Sequence, residues 1–227
     1  MGNVGLLLVG VVLLVNGLVS IGVVAPRSAA PLNFFVGAAQ IILPTLVILQ
    51  ADGDAAVVNG AWPSLLFGFT YLWFGLIQVY DLEPHGFGLY SAFVAAIAAF
   101  HAAKSIGADP VFAVIWATWA LMWTLFFVLL GLGVTRIRAF DVGRFTGWVL
   151  ILLGVPTCTL PAIFLLNGAW TVSPAAGAVA LIALVAALGI SATLTVRSDN
   201  TARPSASPQA GAGVELEKQD APVPQPA

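Results

Sequence analysis

Trp116, Trp119 and Trp123 are the residues whose type and spacing most directly suggest contact with a solute, because they fall near the middle of a long apolar stretch, Val111–Leu132. Spacings of three and four residues place the three indoles on one face of a helix. Tryptophan in membrane helices is usually enriched at the two water interfaces, so indoles at mid-depth need another explanation. We interpret them as one wall of a path for small, flat, neutral molecules; a packed aromatic core is the alternative.

Uncharged polar residues fall near the middle of the other apolar stretches. Hydrocarbon offers such groups no partner, so each must form hydrogen bonds inside the protein or face a cavity. Single hydroxyl and thiol groups commonly link helices, whereas the amides of Asn16 and Gln40 are equally consistent with helix contacts and with pore lining. The residues in this class are Asn16, Gln40, Thr70, Tyr71, Thr118, Thr124, Thr157 and Cys158.

Ionisable residues are absent from the middle of every apolar stretch. Ion-coupled transporters and proton relays usually keep one there, so this pattern favours passive passage of an uncharged solute. The last apolar stretch has no lysine that could hold a retinal, and His85 and His101 are poorly placed to share a haem or a metal ion. We therefore expect no cofactor or metal, and the apolar stretches contain no nucleophile motif, phosphate loop or carboxylate pair that would indicate an enzyme.

The elements that must position these residues are membrane-spanning helices. Of the 227 residues, 60% are hydrophobic and only 8% are charged, against about 25% charged in a soluble domain. The net charge of −2 indicates no nucleic-acid partner. Seven apolar runs come close to the roughly 20 residues that a helix needs to cross a bilayer, and they cover residues 4–24, 32–50, 62–80, 87–105, 110–132, 147–166 and 174–196.

The basic residues predict the orientation of these spans. With the N-terminus outside and the C-terminus inside, seven of the eight lysines and arginines lie on the inner side and only Lys104 lies outside. Residues 197–227 contain five prolines, scattered charge and no apolar period, which predicts a disordered cytoplasmic tail.

Prolines interrupt the second and sixth spans. Each one removes a backbone hydrogen bond and frees the carbonyl four residues earlier, which could then accept a hydrogen bond from a passing amide; a simple packing kink is at least as consistent with each proline. The prolines are Pro44, Pro156 and Pro161, and the freed carbonyls belong to Gln40, Leu152 and Thr157.

Several motifs, taken together, carry a family resemblance. They are Gly5-Leu6-Leu7-Leu8-Val9-Gly10 followed by Asn16-Gly17, then Leu32-Asn33-Phe34-Phe35-Val36-Gly37, then Leu66-Phe67-Gly68-Phe69-Thr70-Tyr71-Leu72, then Ile115-Trp116-Ala117-Thr118-Trp119 with Trp123, and Arg144-Phe145-Thr146-Gly147-Trp148. Through these motifs, residues 1–170 resemble the bacterial AmiS/UreI family of amide transporters and urea channels, and the amide-transporter branch in particular.

The resemblance implies an all-α integral membrane protein of the bacterial inner membrane. Its core, residues 1–170, is expected to be a compact bundle of six transmembrane helices built from two three-helix repeats, and residues 171–196 to be a seventh transmembrane helix. The resemblance further implies a homo-hexamer with one pore in each protomer. It assigns one constriction to Trp119, Trp123 and Tyr71, and along the same path it places Trp116, Phe67, Val9, Leu13 and a midplane amide, Asn16.

Three features depart from the urea-channel pattern. The acid-gated urea channels have periplasmic loops that bear histidine, whereas the first outer loop here, Ala51–Ala61, is short and has none. Only His101 falls near the outside, so acid gating is not expected. Leu153 stands where the family has a glutamate, and the seventh span, like Pro156-Thr157-Cys158-Thr159, is more similar to the amide-transporter branch.

Three hypotheses for the function follow. The first is a passive channel, acting by facilitated diffusion, that brings urea, acetamide and similar short-chain amides to a cytoplasmic amidase or urease. The second is a non-transporting membrane assembly or sensor component whose tail recruits a soluble partner. The third, an enzyme, is disfavoured because no ionisable residue lies at mid-depth.

Overall fold

The computed structural model, which describes residues 2–202, is helical throughout except for one small hairpin. Its strands, β1 at Arg136–Ile137 and β2 at Phe140–Asp141, pair antiparallel. The helices are α1 (Gly2–Ser20), α2 (Pro26–Leu49), α3 (Ala55–Ala61), α4 (Pro63–Tyr80), α5 (His85–Ser105), α6 (Pro110–Phe126), α7 (Val142–Gly154), α8 (Leu160–Leu166) and α9 (Pro174–Ala202), with π-helical turns at Phe127–Gly131 and Val155–Thr159.

The predicted number of spans is confirmed: within the described residues, seven helical stretches are long and apolar enough to cross a membrane. The ends of these helices differ from the predicted ends where single turn or capping residues determine where a helix starts or stops. The first helix stops at Ser20, before the predicted end at Val24, and Gly22 follows it with φ +82°, a conformation that glycine adopts without steric cost. The second helix starts early, at Pro26, because proline at a first helical position lacks only an N–H that would be unpaired there anyway.

The segment Ala51–Ala61, predicted as a loop, contains the short helix α3. Its first turn is capped by the Asp54 carboxylate, which accepts hydrogen bonds from the backbone N–H of Ala56 at 2.8 Å and of Val57 at 3.4 Å. Aspartate at this position satisfies N–H groups that a helix start leaves unpaired. The sequence signal was therefore present at Asp54, but the apolar pattern of so short a segment was too weak to reveal the helix.

The core of the bundle depends on close helix pairs. Helix α2 packs along α4, α5 along α6, and α1 along α7. Where α1 meets α7, a Cβ added to Gly17 would lie 2.7 Å from the carbonyl oxygen of Gly147, and one added to Gly154 would lie 2.8 Å from the Cβ of Leu13. Small residues at such crossings let backbones approach closely, so α1 and α7 form a closely packed pair beside the interior of the bundle.

The sixth span runs from Val142 to Leu166 as α7, a π-helical turn and α8. Pro156 lies in the π-helical turn, where the backbone N–H of Leu160 reaches back to the carbonyl of Val155. Proline interrupts the α-helical hydrogen-bond pattern here, and π-helical turns of this kind occur frequently at functional sites. It brings Thr157 and Cys158 into the buried interior.

The seventh span is helix α9, which packs against α6 and α7 and continues to Ala202. The helix thus extends past residue 197, where the tail was predicted to begin. No proline interrupts the chain until Pro204, and helices commonly end at or before the residue that precedes a proline. The remainder of the predicted tail, 203–227, lies outside the described residues.

Candidate functional site

A cavity of about 240 Å³ lies inside the bundle between α1, α2, α4 and α6. Helices α1, α4 and α6 run in the same direction, so their early residues share one end of the bundle. At that end Gly2, Asn3, Gly60 and Ser64 form what we call the mouth of the cavity. Toward the middle of the bundle the lining ends at three residues that we call the floor, namely Leu13, Tyr71 and Trp123.

Seven of the eight residues predicted to lie along a solute path line this one cavity. They come from three helices that are far apart in sequence, and each is buried or half-buried in the protein rather than turned toward the outer surface of the bundle. The seven are Val9, Leu13, Phe67, Tyr71, Trp116, Trp119 and Trp123.

The aromatic residues of the wall pack on one another around Phe67. Its ring is stacked on Trp123, with centroids 6.0 Å apart and planes 9° apart, and it meets Trp119 edge-on at 5.5 Å and 78°. Trp116 in turn meets Trp119 edge-on at 4.8 Å. The indoles are therefore at once a packed aromatic cluster and one wall of the cavity.

The orientation of Trp119 is fixed by a contact with the sixth span. Its indole N–H donates a hydrogen bond to Oγ1 of Thr157 at 3.2 Å, and the Thr157 hydroxyl donates to the backbone carbonyl of Leu153 at 2.6 Å. Thr157 reaches this place from the π-helical turn. The indole N–H of Trp119 is therefore engaged within the protein, and Trp119 offers the cavity its ring rather than a free donor.

Tyr71 supplies a polar group at the floor. Its side chain is 3% exposed, and none of the side-chain hydrogen bonds within residues 2–202 involves its hydroxyl. A hydroxyl in this position can both donate and accept. Tyr71 is thus available to a molecule that reaches the floor.

Gln40 lies in the same wall and was weighed in the sequence without being assigned to the path. The residue is 2% exposed, lines the cavity, and has a side-chain oxygen, Oε1, with no hydrogen-bond donor among the described residues. Its backbone carbonyl, which Pro44 frees, is covered by α4: a Cβ added to Gly68 would lie 3.1 Å from that oxygen. Oε1 of Gln40 is buried against Gly5 of α1, so neither this oxygen nor the freed backbone carbonyl opens into the cavity.

Asn16, the eighth predicted path residue, does not line the cavity. Its Nδ2 donates to Oδ1 of Asn33 at 2.9 Å, and its Oδ1 accepts from Nδ2 of Asn33 at 2.8 Å and from Nε2 of Gln78 at 3.4 Å. Asn33 also donates to Oε1 of Gln78 at 3.0 Å. We call Asn16, Asn33 and Gln78 the amide cluster. It links α1, α2 and α4, and it lies about one helical turn beyond the floor along α1.

The two amide partners of Asn16 were missed as a site because nothing in the local sequence pairs them. Asn33 and Gln78 are 17 and 62 residues away from Asn16 along the chain. The only signal available was that both are amides inside apolar stretches. Each such group needs a partner in the membrane, which predicts that partners exist without saying which ones.

His101 does not line the cavity but packs against Trp116, a residue of its wall. Its ring stacks on Trp116, with centroids 4.6 Å apart and planes 23° apart, and approaches Trp62 at 5.6 Å. Across residues 2–202, no three histidine, cysteine, aspartate or glutamate side chains are grouped so that they could hold a metal ion. The chemistry of the cavity is that of aromatic faces and a few uncharged hydrogen-bonding groups.

Comparison with known proteins places this arrangement in a family context. Residues 1–169 match the sequence model described as AmiS/UreI family transporter. The chain is 48% identical to the transporter protein AmiS2 of Rhodococcus erythropolis, over 86% of this chain and 93% of that protein. It is 43% identical to the amidate substrates transporter protein of Mycolicibacterium smegmatis, over 86% of this chain and 87% of that one.

A solved structure shares the fold. The crystal structure of the urea channel from the human gastric pathogen Helicobacter pylori superposes with a TM-score of 0.66 at 31% identity, and the match covers 75% of this chain and all of that one (100%). The family match ends at residue 169, so α9 lies beyond it.

Proposed function

The chain belongs to the AmiS/UreI family of transporters, and from this premise we propose that its cavity is the path by which urea, acetamide and similar short-chain amides cross the bacterial inner membrane by facilitated diffusion. The observation that carries the proposal is the shared wall: Phe67, Tyr71 and the three tryptophans meet around one cavity inside a membrane bundle. The relatives are named as transporters and channels and not as enzymes, so the molecule is a membrane transporter.

The shape and polarity of the cavity suit a flat, neutral solute. Urea and acetamide are planar and carry their hydrogen-bonding groups on an edge, so they can slide along indole and phenyl faces. A hydrated ion would have to leave its water behind, and burying a bare charge in such surroundings is very costly. The aromatic wall therefore admits small amides and rejects ions.

Passage is passive because the cavity offers no group for coupling. Among the described residues that line it, none is aspartate, glutamate, lysine, arginine or histidine. Coupled transporters usually keep an ionisable residue at the substrate site. A few uncharged contacts hold a solute weakly, and weak binding allows rapid release.

The mouth faces the outside of the cell in this proposal. The orientation rests on the basic residues, seven of eight of which fall on the side that holds the C-terminus. A solute entering from outside meets Trp116 first, then Trp119, and then the floor with Trp123. Its destination is a cytoplasmic amidase or urease.

We also propose that the protein assembles as a homo-hexamer with one cavity in each protomer. Small residues along α5, a helix that carries Ala92, Ala96 and Ala99, suit close helix contacts within or between protomers. The mass of the purified protein in detergent, measured by light scattering with the detergent contribution subtracted, tests the assembly: a monomer or a dimer would contradict it.

The transport proposal is tested in proteoliposomes. Vesicles containing the purified protein are mixed rapidly with a gradient of acetamide or urea, and swelling is followed by light scattering. The expected result is solute entry faster than in empty liposomes of the same lipid, with no increase in sodium or chloride permeability. Entry at the empty-liposome rate for both solutes would refute the channel function.

Removal of residues 203–227 distinguishes the channel hypothesis from the hypothesis of a non-transporting assembly whose tail recruits a partner. The family match ends at residue 169, and the cavity is built from helices that precede it. We expect the shortened protein to keep the solute permeability of the full chain. A shortened protein that folds but loses its permeability would instead assign an essential role to the tail.

A further inference from the structure

Thr157 lies behind the aromatic wall of the cavity and holds one of its indoles. The residue is 7% exposed and belongs to the π-helical turn Val155–Thr159 of the sixth span. Trp119 lines the cavity, whereas Thr157 does not. The hydrogen bond from the Trp119 indole N–H to Oγ1 of Thr157, 3.2 Å long, therefore ties a wall residue to a group outside the cavity lining.

The hydroxyl of Thr157 is oriented to accept this bond. A hydroxyl has one proton to donate and an oxygen that can accept, whereas an indole N–H can only donate. The proton of Thr157 is donated to the backbone carbonyl of Leu153 at 2.6 Å, which leaves the oxygen for the Trp119 N–H. The thiol of Cys158 lies 3.7 Å from the same oxygen, but sulfur is a weak hydrogen-bonding partner. Thr157 is thus the residue that satisfies the indole.

The other two indoles of the stripe are held differently. Within the described residues, neither Trp116 nor Trp123 donates its N–H to another group. Each is instead stacked on a neighbouring ring, Trp116 on His101 and Trp123 on Phe67. Trp119 meets Phe67 and Trp116 edge-on, at 78° in both cases, so neither of these rings lies parallel to it. Trp119 therefore has a directional restraint, the bond to Thr157, in place of a stacked partner.

Loss of this restraint would move the indole toward the cavity. A buried N–H without an acceptor is costly, so the ring would turn to find another partner. Protein interiors are close-packed, and the free space beside Trp119 is the cavity of about 240 Å³. We propose that Thr157 is a positioning residue that holds the Trp119 indole against the sixth span and thereby sets the width of solute that the cavity admits. This inference rests on the proposed function, since it concerns which amides the same cavity transports.

The transport test compares two amides of different size in the full-length protein. Permeability to acetamide and to the larger propionamide is measured in proteoliposomes after subtraction of the empty-liposome rate. Thr157→Val replaces the hydroxyl by a methyl group of similar size. Because a released indole obstructs the larger solute more, we expect the ratio of propionamide to acetamide permeability to fall by about twofold to tenfold. The ratio does not depend on how much protein has been reconstituted.

Three further variants isolate the cause. Thr157→Ser keeps the hydroxyl and should keep the ratio of the parent. Thr157→Cys puts a weaker acceptor in its place and should lower the ratio, so it also tests the proposal if Thr157→Val does not fold. Thr146→Val makes the same substitution elsewhere in the sixth span, at a buried threonine whose hydroxyl donates to the carbonyl of Val142 at 2.8 Å and holds no indole. It should leave the ratio unchanged.

The hydrogen bond itself can be measured without transport. Protein labelled at the tryptophan indole nitrogens gives an NMR signal for each indole N–H, and the signal of Trp119 is the one that is lost in Trp119→Phe. Because a hydrogen bond shifts the resonance of the donated proton downfield, this signal should move upfield in Thr157→Val and stay near its parent position in Thr157→Ser.

The outcomes are distinct. A parent-like ratio in Thr157→Val and Thr157→Cys, an equal fall in Thr146→Val, or an unmoved Trp119 signal in Thr157→Val overturns the positioning role of Thr157, while the channel function stands. Absence of acetamide entry in the parent protein refutes the channel function itself.

Discussion

Replacing Tyr71 by phenylalanine tests whether the floor of the cavity interacts with the solute. The substitution removes one oxygen and keeps the ring, which packs in the core. The hydroxyl has no hydrogen-bond partner within the described residues, so its loss leaves no other protein group unpaired. Stability should therefore change little, because the ring keeps its packing and no protein hydrogen bond is lost.

The effect on transport follows from the value of one hydrogen bond. A net hydrogen bond is worth about 0.5 to 1.5 kcal/mol, and about 1.4 kcal/mol corresponds to a factor of ten. If the hydroxyl replaces part of the hydration that an amide loses at the floor, Tyr71→Phe should lower acetamide and urea permeability by about twofold to twelvefold. Light scattering by proteoliposomes, normalised to the amount of reconstituted protein, measures the change.

Tyr90→Phe is the matched control. The Tyr90 hydroxyl donates to the backbone carbonyl of Leu66 at 3.4 Å, and the residue is not part of the cavity lining. Its removal should leave permeability unchanged. Equal permeability of Tyr71→Phe and the parent, or an equal loss in both variants, would refute a direct contact between the Tyr71 hydroxyl and the solute.

Three further changes probe the packing around the path. Asn33→Leu removes the three side-chain hydrogen bonds that Asn33 forms with the other members of the amide cluster. At about 0.6 kcal/mol for each bond in a membrane protein, the loss should lower stability by about 2 kcal/mol. Asn167→Leu, at an exposed helix end, is the control and should have little effect. Gly17→Ala should lower stability by about 1 to 3 kcal/mol, because the added Cβ would overlap α7. In the control Gly189→Ala, the added Cβ meets no other atom, and the substitution should stabilise its helix by up to about 1 kcal/mol. Trp123→Ala opens the floor and should cost about 3 to 5 kcal/mol, while it raises butyramide permeability relative to acetamide.

Thermal unfolding in detergent measures the stability of the two asparagine variants and the two glycine variants. Proteoliposome swelling measures the permeability of Trp123→Ala. Equal melting temperatures for the two asparagine variants would remove the structural role of the amide cluster. A melting temperature for Gly17→Ala above that of the parent would contradict the close crossing of α1 and α7. An unchanged ratio of butyramide to acetamide permeability in Trp123→Ala would show that Trp123 does not limit the width of the path.

Much of the fold was predictable because its signals are local. An apolar run of sufficient length predicts a span whatever it packs against, and this is why all seven spans were found. The indole stripe was predictable for the same reason, since spacings of three and four residues place side chains on one face of any helix. Helix ends were less accurate, because they depend on single capping or turn residues such as Asp54 and Gly22.

The sequence by itself determined that polar groups such as Asn16, Gln40 and Thr157 would need partners inside the membrane, because hydrocarbon supplies none. Only the tertiary structure decided which partner each one has. Contacts across 17 and 62 residues of chain enclose the Asn16 amide in a cluster, and a π-helical turn brings Thr157 to the Trp119 indole. Gln40 belongs to the same chemical class as Asn16, yet its oxygen is packed against Gly5 of α1 and no described residue donates a hydrogen bond to it. A side chain carries its hydrogen-bonding capacity in any sequence, but the packing of distant helices determines which protein groups come close enough to satisfy it.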